Sequence, residues 1–121
     1  MAGALRQPRA SATPHHAEGH RERLRRRFTA GGPDAIADYE LLEMLLFRAI
    51  RRGDTKPLAK ALLAHFGSFS EVLSASPERL MEVRGVGEAI AVEMKIVHAA
   101  ALRLLRGQVI DRGLLSPAGA R

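Results

Sequence analysis

Apolar residues recur every three or four positions over most of residues 20–106. The interruptions are built from glycine, proline and short polar side chains. That spacing marks amphipathic helices, and no segment alternates with the period of two of a half-buried strand. Leu24 and Phe28, four apart, place a narrow apolar seam on a helix over 20–30 that Gly31-Gly32-Pro33 ends. Asp38 is the expected cap of a helix over 39–50, with Leu41, Leu42, Leu45, Leu46 and Ile50 on its apolar face. Arg51-Arg52-Gly53-Asp54 breaks the pattern, and Asp54 is the expected cap of a third helix over 55–66, where Pro57 is tolerated in the first turn. Gly67 closes that helix. Ser68-Phe69-Ser70-Glu71 has capping-box spacing for a short helix ending near residue 74. Ser76-Pro77 starts another helix, which runs into Gly85-Val86-Gly87. The last helix is expected over 88–106, with Ile90, Met94, Val97, Ala101 and Leu104 facing inward and Gly107 ending it.

A shift of 32 residues lays Arg52-Gly53 on Arg84-Gly85 and the 58–62 segment on 90–94. Each half is then helix, Arg-Gly turn, helix. The expected fold class is all-α: a compact tandem helix–hairpin–helix-like bundle of about five to six short helices. Residues 1–19, rich in Pro, Ala, Ser and His, read as a disordered tail. Residues 20–107 read as the folded domain and residues 108–121 as a linker. His15, His16 and His20 read as solvated tail histidines rather than a metal tract.

Charge narrows the partner. The chain has 121 residues and a net charge of +6. Residues 1–30 hold seven arginines against Glu18 and Glu22, so most of the positive charge lies in the N-terminal arm. A basic arm binds polyanions by counterion release, without reading sequence. Aromatic residues make up 4% of the chain and no tryptophan is present, so base stacking on exposed rings is disfavoured against backbone contact. With no cysteine, disulfides and thiolate zinc sites are excluded. No apolar run approaches the ~20 residues of a membrane span, and the expected location is cytoplasmic, nucleoid-associated where DNA is bound.

Chemistry points the same way. A Gly-x-Gly turn lets the backbone approach a ligand closely, and a helix N-terminus carries unpaired N–H groups and partial positive charge. Gly85, Val86 and Gly87 are therefore the expected phosphate contact, with Arg84 and Lys95 beside them. Arg51, Arg52, Thr55, Lys56 and Lys60 surround the first turn and form a second basic cluster. Arg21, Arg23, Arg25, Arg26 and Arg27 line the first helix and add electrostatic affinity. Glu82 and Glu88 flank the Gly-x-Gly turn and oppose phosphate. Nucleophile motifs, paired metal-ligand spacings and phosphate-cradling loops are absent, so the expectation is a non-enzyme without metal or cofactor.

The ordered set His20-Arg21-Glu22-Arg23-Leu24, Asp38-Tyr39-Glu40-Leu41-Leu42-Glu43, Asp54-Thr55-Lys56-Pro57-Leu58-Ala59, Phe66-Gly67-Ser68 and Gly85-Val86-Gly87 resembles the N-terminal domain of bacterial RadC proteins over about residues 19–110. The resemblance implies a DNA repair or recombination setting. It also implies a C-terminal JAMM-type, metallohydrolase-like domain, absent here, toward which 108–121 would lead. Arg84 stands where many DNA-binding hairpins have proline. Two functions follow as expectations. The first is a module that binds duplex or branched DNA through its backbone without sequence preference. The second is a structural or protein-interaction domain that positions the C-terminal domain.

Overall fold

The computed structural model describes residues 14–111, and among them every regular element is helical. Helix α1 spans Pro14–Gly31, α2 Asp38–Leu46, α3 Lys56–Phe66, α4 Phe69–Ser74, α5 Pro77–Leu80 and α6 Glu88–Asp111; a single 3-10 turn, Pro33–Ala35, links α1 to α2. Helix α1 begins at Pro14, so 14–19 is helical and not part of a disordered tail; the rest of that expectation, like most of 108–121, lies outside the described residues. His20 is drawn into the fold as well, on Glu43 of α2.

Local chemistry sets most boundaries. Ser68 Oγ accepts the Glu71 amide at 3.1 Å and Ser76 Oγ accepts the Arg79 amide at 3.2 Å, so both serines cap their helices as their spacing predicts. Helix α2 is capped differently. Ala37 precedes it, Asp38 is its first residue, and the Glu40 carboxylate reaches back to the Ala37 amide at 3.0 Å. Helix α2 also stops at Leu46, four residues short of expectation, where the chain passes into a turn. At α3, Thr55 occupies the cap position and Asp54 Oδ1 accepts the Lys56 amide at 3.0 Å.

The core gathers Leu42 and Leu46 from α2, Ala59 and Leu62 from α3, Val72 and Leu73 from α4, Leu80 from α5, Val83 and Val86 from the second turn, and Ile90, Ala91 and Met94 from α6. The 32-residue repeat is visible in three dimensions. Gly53 and Gly85 both take positive φ, at 100° and 95°, a region open to glycine because it lacks Cβ. Ala59 and Ala91 are both fully buried, as are Leu62 and Met94.

Helix α6 departs most from expectation. It runs through Gly107 to Asp111, and only its first two turns are buried. Leu104, expected inward, is 62% exposed, and Ala101 is exposed beside it. Ile96, Leu102 and Leu105 are exposed too, because among the described residues the short α4 and α5 reach only the first turns of α6. Phe28, expected in a seam with Leu24, is 37% exposed, whereas Leu24 is buried.

Candidate nucleic-acid interface

The second turn opens onto solvent at the start of α6. Gly87 contributes the carbonyl that accepts the Ala91 amide at 3.1 Å, so it is the cap residue of α6. The amides of Gly87, Glu88, Ala89 and Ile90, and that of Gly85 in the turn, meet no hydrogen-bond acceptor among the described residues. A side chain built on Gly87 would touch nothing within 4 Å, so the backbone here is accessible to a ligand. Val86 behaves differently from the expectation. Its amide donates to the Val83 carbonyl at 3.0 Å and its side chain is in the core. Val86 alone therefore leaves the Gly85–Gly87 set read from sequence, and Glu88, Ala89 and Ile90 add free amides beyond it. A side chain at Gly85 would meet Leu58 Cδ1 at 3.5 Å, so the second turn lies beside the first turn of α3.

The predicted basic residues divide into exposed and engaged groups. Arg84, Arg51, Arg52, Lys56 and Lys60 are exposed. The ammonium groups of Lys56 and Lys60 sit 5.7 and 4.8 Å from the Tyr39 ring centroid, which steadies them without neutralising them. Arg23 and Arg26 are exposed on α1, Arg26 reaching Glu22 at 4.0 Å. Arg25 lies 5.2 Å over the Phe47 ring.

Four predicted contacts are occupied inside the protein. Arg21 is 3% exposed, and its guanidinium donates to the Arg51 and Gly53 carbonyls at 3.2 and 3.1 Å. Thr55 is buried, and its hydroxyl donates to Glu43 Oε2 at 2.9 Å. Lys95 Nζ donates to the Leu73 and Ala75 carbonyls, both at 2.8 Å, tying α6 to the end of α4. Arg27 holds Glu40 in a two-pronged pair at 2.8 and 3.0 Å and also donates to the Ala35 carbonyl. The Arg27 hydrogen bonds, with the Ala37 amide second, lower the Glu40 carboxyl below its ordinary range, and the Glu40 pairing raises Arg27. In each case an internal acceptor competes with phosphate for the side chain.

Sequence reasoning missed the buried cluster behind the first turn. Glu43 is fully buried, takes the Thr55 hydroxyl, and has His20 Nε2 at 3.2 Å from both carboxyl oxygens. A signal was present: Tyr39, Leu42, Glu43 and Leu46 follow i, i+3, i+4, i+7 spacing, which sets a carboxyl group inside an apolar stripe. Asp54 was assigned to capping, which is what it does in part, and that role fills the amide of Lys56 at the start of α3. No group of three or more metal-ligating side chains is present among the described residues, and no helix there is long and apolar enough to cross a membrane.

Comparison with known proteins supplies the family. The UPF0758 N-terminal family model matches residues 17–92. A UPF0758 protein of Ruegeria pomeroyi is 52% identical over 103 residues, covering 85% of this chain and 46% of the relative. A UPF0758 protein of Rhodobacter capsulatus is 60% identical over 93 residues, covering 77% of this chain and 44% of the relative. The chain thus spans slightly less than half the length of these relatives. No solved structure matches it. The chain belongs to the UPF0758 family, which is the RadC-like family.

Proposed function

We propose that this UPF0758 N-terminal domain is a non-sequence-specific module for the DNA backbone, working as a tandem helix–hairpin–helix in a DNA repair or recombination setting. The observation that carries the reading is the open start of α6, where four unpartnered amides, 87–90, begin at an accessible glycine. Such a group of N–H donors, at the positive end of a helix dipole, suits a phosphate oxygen. Arg84 supplies charge next to it. Arg51, Arg52, Lys56 and Lys60 supply the second contact, from a turn that the repeat relates to the first. Because these contacts are amides and cations aimed at phosphates, they carry no base information. Glu88 opposes the phosphate, so the affinity is modest and strongly salt-dependent.

The test is anisotropy of labelled duplex and forked DNA with the 121-residue chain, its Gly87→Val variant, and the Arg51→Glu/Arg52→Glu variant. A β-branched side chain at Gly87 blocks approach to the amides, and charge reversal removes two phosphate contacts. Both variants should bind several-fold more weakly while keeping the native helical signal. Unchanged binding by a folded Gly87→Val protein would remove the α6 terminus from the account.

A second reading is supported by a different observation. Helix α6 exposes Ile96 and, in its distal half, Leu102, Leu104 and Leu105 to solvent. An apolar helix end of that kind suits a protein-interaction domain, including one that positions a C-terminal metallohydrolase-like domain. Absence of any DNA binding at low salt would favour this reading.

A further inference from the structure

We propose that Arg21 is a positioning residue, holding the first turn in the one conformation that presents Arg51 and Arg52 to DNA. The consequence for binding rests on the backbone-binding reading above; the effect on the turn does not. Residues 51–54 make no backbone–backbone hydrogen bond: the last before them is Ile50 to Leu46 and the next is Ala59 to Thr55. The turn also contains Gly53 at φ 100°, the residue with the widest conformational choice. Left alone, such a segment samples many shapes.

Arg21 supplies what the backbone lacks. It reaches across 30 residues of sequence, and the two ends of its guanidinium fork bind the Arg51 and Gly53 carbonyls. A planar fork fixes two acceptors at once, which a lysine cannot do with the same geometry. The guanidinium is stacked 4.6 Å from the Phe47 ring centroid, which sets its plane. Beyond the turn, Thr55 is fixed on Glu43, and His20, the neighbour of Arg21, is fixed on the same carboxyl group. The turn is thus gripped at Arg51, Gly53 and Thr55.

Two further facts set Arg21 apart from an ordinary structural arginine. No carboxylate lies within 4.0 Å of it among the described residues, and its Nε is buried without a partner. Buried cations are normally neutralised, because desolvation is costly. Here two carbonyl dipoles and the Phe47 ring meet the charge in place of an anion, against the turn that carries Arg51 and Arg52. That arrangement raises the positive potential of the turn and orders it before any ligand arrives, so less ordering cost falls on binding.

The test combines residue-resolved 15N backbone relaxation with duplex anisotropy on the 121-residue chain and its Arg21→Met and Arg21→Lys variants. In Arg21→Met, backbone order parameters at residues 51–54 should fall from about 0.85 to below about 0.6 while α3 and α6 stay rigid. Duplex affinity should fall by about three- to tenfold, the usual effect of leaving one or two side chains to be ordered on binding. Arg21→Lys should restore part of both. In the Arg51→Glu/Arg52→Glu background, Arg21→Met should cause no further loss, because the groups it positions are already gone. Unchanged order parameters at 51–54 in a folded variant overturn the proposal, as does a full additive loss in that background. Should Arg21→Met fail to fold, Arg21→Lys carries the test, and unchanged order parameters and affinity in it are the refuting result. A loosened turn in a chain that binds no duplex would sink the DNA reading and leave the positioning of the turn standing. Duplex binding that is indifferent to Arg21 would do the reverse.

Discussion

Replacing Glu43 with alanine should cost this domain a large part of its stability. Glu43 is fully buried and accepts from the Thr55 hydroxyl, itself 1% exposed. Without the carboxyl group that hydroxyl has no access to water, and an unsatisfied buried donor costs about 1–3 kcal/mol. His20 loses its partner too, but its side chain is 30% exposed and water replaces the bond cheaply. The lost hydrocarbon adds about 0.8 kcal/mol for one methylene of burial. The sum is about 2–4 kcal/mol, against a usual domain stability of about 5–15 kcal/mol. In a domain of this size that corresponds to a fall in Tm of roughly 10–25 °C. Urea and thermal unfolding followed by far-UV circular dichroism would read it. Glu43→Leu combined with Thr55→Val removes donor and acceptor together and refills the space, so it should be more stable than Glu43→Ala alone. A Glu43→Ala protein within about 0.5 kcal/mol of the parent, a shift ordinary at exposed surface sites, would refute this account of the cluster.

Other consequences can be checked in the same laboratory. Glu40 is held below its ordinary 4.5, first by the Arg27 hydrogen bonds, so its contribution to stability is complete above about pH 4.5 and is lost as pH falls through its lower folded value. Tm measured from pH 6 down to pH 2 should therefore drop more steeply for the parent than for Glu40→Gln; parallel curves would contradict the pairing. Gly85→Ala should destabilise by about 1–3 kcal/mol because of its positive φ, whereas Gly87→Ala should cost less than about 1 kcal/mol as a change of cap residue. Equal losses in chemical denaturation would contradict the asymmetry of the turn. Lys95→Met should lower stability by about 1 kcal/mol through loss of its bonds to the Leu73 and Ala75 carbonyls, yet leave DNA affinity unchanged.

How much of this was legible in the sequence depends on the range of the interaction. Ser68, Ser76 and Pro77 act within one turn of their own helix, and their roles were readable from spacing. The all-α class and the repeat were readable for the same reason, since Ala59 and Ala91, or Leu62 and Met94, occupy equivalent helical positions. Arg21 and Lys95 were misassigned because their partners are carbonyl oxygens 20 to 32 residues away, and main-chain acceptors have no sequence signature. Charge alone made both look like phosphate ligands. The end of α6 was placed at Gly107 on a local stop signal, but glycine inside a helix costs only about 1 kcal/mol and flanking leucines and arginines carried the helix past it. Val86 illustrates the finest error: the Gly-Val-Gly pattern located the turn, while which of its amides are free depended on a bond to Val83 that only the folded turn reveals.

The most direct test of the central claim is the salt dependence of duplex DNA binding by the 121-residue chain. With Arg51, Arg52, Lys56, Lys60 and Arg84 exposed, about five phosphates are engaged, and log K should fall against log salt with a slope of about −4 to −5. The same slope on unrelated sequences, reduced by roughly two units in Arg51→Glu/Arg52→Glu, is the result the account predicts. No binding at low salt, or binding whose slope ignores those two arginines, would contradict it.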